Sequence, residues 1–141
     1  MQKVLDVEFG GMGEVLYNLW AATGKARYAE IGHRFDHQRI FDPLALRRDE
    51  LRGLHVNTQI PKVIAAARRF ELTQQPHYRD IAEFFWQDVT GSRCYVAGGT
   101  SNNERWLVAP GQLAAGLRMG SNTCECCKAY NMMRLTRHLS G

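Results

Sequence analysis

Thr23-Gly24-Lys25-Ala26-Arg27-Tyr28-Ala29-Glu30-Ile31-Gly32-His33-Arg34-Phe35 returns 50 residues later as Thr73-Gln74-Gln75-Pro76-His77-Tyr78-Arg79-Asp80-Ile81-Ala82-Glu83-Phe84-Phe85. Both stretches fit T-x4-Y-x-[DE]-I-x3-F. Each follows a segment whose apolar residues recur at helical spacing: Val15, Leu16, Leu19 and Trp20 before the first copy, Val63, Ile64, Ala67 and Phe70 before the second. Such positions share one helix face. The unit is therefore a helix, a tight turn and a second helix. A lone hairpin cannot bury its apolar face, so the units must stack, and the chain is predicted to be mainly α.

Working outward, Thr23-Gly24, Asp42-Pro43, Gly53, Gln75-Pro76, Gly98-Gly99 and Pro110-Gly111 read as breakers between helices. Asn57 or Thr58 followed by Pro61 reads as a capped helix start, since proline is tolerated in a first turn. A third helix begins near Cys127, with Tyr130, Met133 and Leu135 apolar. Residues 91–110 interrupt the helical pattern and are expected to form an ordered loop or short hairpin, the kind of long connection where function tends to sit. No return helix follows residue 141, so the expectation is one partial domain, 1–141. A closed ring of hairpins would need more than twice this length. Apolar helix faces left bare would favour aggregation or homo-oligomerisation.

The 141 residues are 45% hydrophobic and 23% charged, ordinary for a globular domain. The net charge of +4 is dispersed, as in Arg47-Arg48 and Arg68-Arg69, rather than gathered into a phosphate-tracking patch. Nucleic acid is thus not the expected partner. The longest uncharged apolar run, 63–67, is too short to span a bilayer, and the first residues lack the basic-then-apolar order of a leader. Three of four cysteines crowd into positions 124, 126 and 127, which suits reduced thiols better than a disulfide framework. Reduced thiols point to the cytoplasm.

Thr123-Cys124-Glu125-Cys126-Cys127 stands at a helix start, where free N–H groups and the helix dipole favour thiolates. Glu125 offers a hard oxygen and the cysteines soft sulfur, a mixture zinc accepts. Small buried thiols packing a helix start is the other reading. Glu104, in a polar loop with Trp106 two residues on, has the setting of a general acid if the indole desolvates it; an exposed carboxylate paired with Arg105 is the plainer possibility. His55 opens His55-Val56-Asn57-Thr58-Gln59, whose hydrogen-bonding side chains precede a helix start and suit sugar hydroxyls, or else form an N-cap network. Glu8 sits beside Gly10-Gly11 and would line a pocket or cap the next helix. His33, His37, His77 and His138 lack comparable context and read as surface or packing residues.

Four strings, E-F-G-G-M at 8–12, H-V-N-T-Q-I-P-K at 55–62, G-G-T-S-N-N-E at 98–104 and E-C-C-K-A-Y-N-M-M-R-L-T-R at 125–137, resemble the bacterial β-L-arabinofuranosidases of glycoside hydrolase family 127. The resemblance implies part of an (α/α)6 barrel, about half of its ring. It implies a retaining, zinc-dependent glycosidase acting on an arabinose-containing glycoside. Glu104 would be the catalytic acid/base, Glu125 and Cys127 zinc ligands, and His55, with Glu8 and Asn57, substrate contacts. The family completes its zinc shell with a downstream adjacent cysteine pair, one member of which is the nucleophile. Positions 1–141 hold no such pair once Cys127 is assigned, so this stretch alone is expected to be inactive. Cys126 departs from the threonine or serine usual there. A helical-repeat scaffold with structural cysteines is the competing class.

Overall fold

A computed structural model of the chain describes every residue except Glu8. Eight helices form among the described residues: α1 (Gln2–Leu5), α2 (Met12–Thr23), α3 (Ala26–His33), α4 (Gln38–Ala45), α5 (Val56–Thr73), α6 (Pro76–Ser92), α7 (Leu113–Arg118) and α8 (Cys126–Leu139). α5 packs between α2 and α8, while α3 and α6 return against α2 and α5, with α4 beside α6. This two-layered arc of helical hairpins suits part of an (α/α) barrel, as expected.

The repeat pays off at its turns. Thr23 and Thr73 end the first helix of each hairpin, and each hydroxyl donates to the carbonyl one turn back, Leu19 at 2.6 Å and Arg69 at 2.8 Å. Each also accepts from an N–H two residues on, of Lys25 and of Gln75, at 3.4 Å in both copies. The residue after each threonine is left-handed, Gly24 at φ 67° and Gln74 at φ 56°. That conformation closes a helix C-terminus by satisfying a last carbonyl. Glycine supplies it in one copy and glutamine accepts the strain in the other.

Packing explains why α5 is central. Val56, Ile60, Val63 and Ile64 are fully buried and share one cluster with Ile40, Phe41 and Leu44 of α4, Ile81, Phe85 and Val89 of α6, and Leu135 of α8. A buried helix needs apolar residues around most of its girth, and α5 has them. Beyond the core, ion pairs join distant helices. Arg134 of α8 donates to both oxygens of Glu14 on α2 at 2.5 and 2.6 Å, and His138 meets Glu71 of α5 at 2.6 Å. The flanking helices carry exposed apolar side chains, Val15 on α2 and Tyr130 and Met133 on α8.

Two expectations need correction. α5 starts at Val56, so Pro61 lies inside the helix rather than in its first turn. Pro43 likewise sits buried within α4 instead of breaking it. In both places tertiary packing of the flanking apolar residues outweighs the lost backbone hydrogen bond. Of the histidines read as surface or packing residues, His37 and His138 are packing residues, each with a defined polar partner, Lys62 and Glu71.

Candidate active site

Residues 93–112, between α6 and α7, form the expected ordered loop, with isolated bridges rather than a strand among the described residues. Its tip is a two-residue turn. Asn102 and Arg105 exchange backbone hydrogen bonds at 3.0 and 3.1 Å, and the residues between them, Asn103 and Glu104, are both left-handed at φ 48° and 63°. Consecutive left-handed residues are what the tightest hairpin turns require. Asparagine tolerates this conformation; glutamate adopts it only under constraint.

The constraint comes from the His55 segment. Val56 N–H donates to the Glu104 carbonyl at 2.8 Å, Trp106 N–H to Leu54 at 3.2 Å, and Gly53 N–H to Trp106 at 2.6 Å. Arg105 donates to the Gly53 carbonyl at 2.9 Å. The arginine is thus engaged with backbone and does not neutralise Glu104. Behind the turn, Thr100, Ser101 and Asn102 are buried polar residues with assigned work. The Asn102 amide donates to the carbonyls of Gly116 and Gly120 at 2.7 and 3.0 Å. Trp106 is turned inward, edge-on to Phe85 with its N–H on Thr100, so the indole serves the core while the Glu104 side chain stays half-exposed. Of the two readings of this loop, the exposed carboxylate is what the fold builds, without the Arg105 pairing that went with it.

His55 and Glu104 are brought together, Nε2 to Oε2, at 3.5 Å. His55 occupies the N-cap of α5 without a side-chain capping bond, and its Nδ1 is buried with no hydrogen-bond partner. Nδ1 is shut off from solvent, while the side chain as a whole stays about one-third exposed. Asn57 is partly committed, its Oδ1 accepting from Asn131 of α8 at 2.7 Å, which leaves its NH2 group to offer. Glu8 lies outside the described residues. The neighbouring Gly10 is pressed so close to α5 that an added Cβ would sit 2.7 Å from the Thr58 carbonyl.

The E-x-C segment enters from α8. Gly99 allows residue 123 to approach: a Cβ there would fall 2.1 Å from the Thr123 carbonyl. Glu125 is the N-cap of α8 but makes no capping bond. Its carboxyl faces Cys127 and Lys128 instead, and the Cys127 thiol, then the Lys128 ammonium, hold it below the usual carboxylate range. Burial, reinforced by that carboxylate, pushes the Cys127 thiol up. Glu125 Oε2 is buried without a hydrogen-bond partner. A hard oxygen and a sulfur side by side, with one buried oxygen unsatisfied, suit two ligands of a tetrahedral zinc shell. No third histidine, cysteine or acid joins them among the described residues; Cys124 and Cys126 are exposed.

Two features escaped sequence reasoning. Lys62, last residue of the H-V-N-T-Q-I-P-K string, is buried, donating to the Leu5 carbonyl, to Gln59 at 2.8 Å and to His37 Nδ1 at 3.0 Å. Burial lowers both bases, Lys62 to about 8 and His37 to about 4. Arg93 is nearly inaccessible and pairs with Asp49 and Asp88, anchoring the start of the loop. Long-range partners make these sites, so no local pattern announces them.

No helix among the described residues is long and apolar enough to cross a membrane. A search of curated proteins found no match. The family described as beta-L-arabinofuranosidase, GH127 catalytic domain, matches residues 1–141. The match spans the whole chain, which belongs to the catalytic-domain family of glycoside hydrolase family 127, whose members are glycoside hydrolases acting on glycosides.

Proposed function

We propose that this chain supplies the acid/base and two zinc ligands of a retaining β-L-arabinofuranosidase. The observation that carries the reading is the Glu104 carboxylate, held on a left-handed turn 3.5 Å from His55. A general acid must present its proton from a fixed direction. Strain maintained by the surrounding hydrogen bonds to backbone is a means of fixing one. Glu104 would protonate the departing glycosidic oxygen and then take a proton from the incoming water, the two tasks of the acid/base in a two-step, retaining reaction.

His55, with Nε2 toward Glu104, would orient the sugar by hydrogen bonding; the Asn57 NH2 group is a second candidate, and Glu8 a third on the resemblance alone. Glu125 and Cys127 would hold zinc. When bound, zinc favours the thiolate form of a cysteine and so supplies a nucleophile at neutral pH. The resemblance assigns that nucleophile to an adjacent cysteine pair which none of positions 1–141 matches.

The test is zinc binding by the purified chain and by Glu125→Ala and Cys127→Ala. The unaltered chain should take up zinc and each variant should lose most of it. Equal metal content in all three would remove the ligand assignment.

A further inference from the structure

Resting on the zinc reading above, we propose that Lys128 is a positioning residue that fixes the Glu125 carboxylate for the metal and ties it to the acid/base loop. Lys128 is completely buried. A buried ammonium must be paired and hydrogen-bonded to be tolerated. Its Nζ donates to Ser101 Oγ at 2.5 Å and lies 3.2 Å from Glu125 Oε2. Ser101 is itself buried and adjoins Asn102, whose amide clamps residues 116 and 120. One side chain therefore spans from the turn carrying Glu104 to the turn carrying Glu125.

The direction of the Glu125 side chain argues for more than a structural ion pair. The short side chains that cap helices, Ser, Thr, Asp and Asn, turn to the free N–H groups of the first turn, and the longer glutamate is free to reach elsewhere. Glu125 makes no capping bond and is drawn to Lys128 and Cys127. The 3.2 Å approach also leaves Oε2 without a hydrogen bond of acceptable geometry. The carboxylate is thus aimed but not saturated, as suits a group held ready for a cation. Partners that orient ligating carboxylates belong to the design of metal sites. A fixed positive charge near a metal would by itself repel it, so positioning and simple repulsion predict opposite effects when Lys128 is neutralised.

The experiment uses the full chain and zinc alone as probe, titrated against a chromophoric chelator, with amide exchange of residues 100–104 followed in parallel. Lys128→Met keeps the stem and removes the charge; Lys128→Arg keeps the charge; Ser101→Ala cuts the loop arm and leaves the ammonium in place. Lys128→Met should bind zinc ~10–100-fold more weakly, the cost typical of losing an outer-shell partner. Lys128→Arg should recover part of that loss. Exchange at residues 100–104 should quicken in both Lys128→Met and Ser101→Ala. Zinc affinity unchanged or tightened in Lys128→Met, while the unaltered chain binds zinc, overturns the inference alone. If Lys128→Met does not fold, unchanged affinity and exchange in Ser101→Ala overturn it. No uptake by the unaltered chain overturns the zinc reading and this inference with it.

Discussion

Replacing Glu104 with glycine should remove the proposed acid/base without weakening the fold. Glu104 sits at φ 63° with its side chain half-exposed, 3.5 Å from His55. A left-handed conformation costs a non-glycine residue roughly 1–2 kcal/mol, which glycine avoids. Against that, glycine adds about 0.4–1 kcal/mol of unfolded-state entropy to be lost on folding. The exposed His55 contact is worth about 0–1 kcal/mol. The balance lies between roughly 1 kcal/mol of loss and 1.6 kcal/mol of gain, and its centre is stabilising. Glu104→Val should fall on the other side, destabilising by about 1 kcal/mol or more, because branching at Cβ makes positive φ worse. Glu104→Gln keeps the backbone conformation and should stay within about 0.5 kcal/mol of the parent. Urea unfolding followed by circular dichroism ranks the three. A stability order of Val above Gly, or a loss beyond 2 kcal/mol for glycine, would refute the claim that the turn strains this residue.

Gly99→Ala places a methyl 2.1 Å from the Thr123 carbonyl and should destabilise by about 1–3 kcal/mol, as overpacking does, while slackening the approach of the E-x-C turn; a neutral unfolding midpoint contradicts it. Arg93→Met leaves Asp49 and Asp88 buried without their cation and should cost about 3–5 kcal/mol at neutral pH, measured by the same unfolding; Asp88, already raised chiefly by burial, should make that cost shrink in acid as it protonates. His138 is held up by the Glu14 carboxylate 3.9 Å away and by its hydrogen bond to Glu71, so its contribution is complete below its unfolded value near 6.5 and fades as pH rises through its higher folded value. Glu14 is held down by His138 and Arg134, so its contribution is complete above about 4.5 and fades as pH falls. The stability gap between the parent and His138→Gln should therefore be widest between pH 4.5 and 6.5. A gap that widens from pH 6 to 9 contradicts this.

The hairpin units were legible because their signal is local: spacing of apolar residues, a threonine at the helix end and a residue after it that accepts a left-handed turn. The candidate site was legible as a set of strings, but its geometry was not. Nothing in Asn103-Glu104 announces two successive left-handed residues, since glutamate is a poor choice for one. Trp106 faces the core because Phe85 and Thr100 await it there, which spacing along the chain cannot reveal. Lys128 falls on the face of α8 that carries Met132, Leu135 and Leu139 into the core. What the sequence does not show is the partner that makes a cation tolerable there, Ser101, 27 residues away. Pro43 and Pro61 misled for the same reason, since packing at a distance overruled a local preference.

The bond from Arg105 to Gly53 has a consequence for the order in which the molecule assembles. Its partners are 52 residues apart, and the Arg134–Glu14 pair closes a span of 120, whereas each helical hairpin closes through neighbours in sequence. Loop closure over long spans is paid late, after local contacts have formed. The hairpins should therefore reach full helicity while Glu104, His55 and Glu125 are still apart. Mild heat or denaturant would then loosen these three first, so a sample that keeps most of its helical spectrum can already have lost the arrangement on which its chemistry depends.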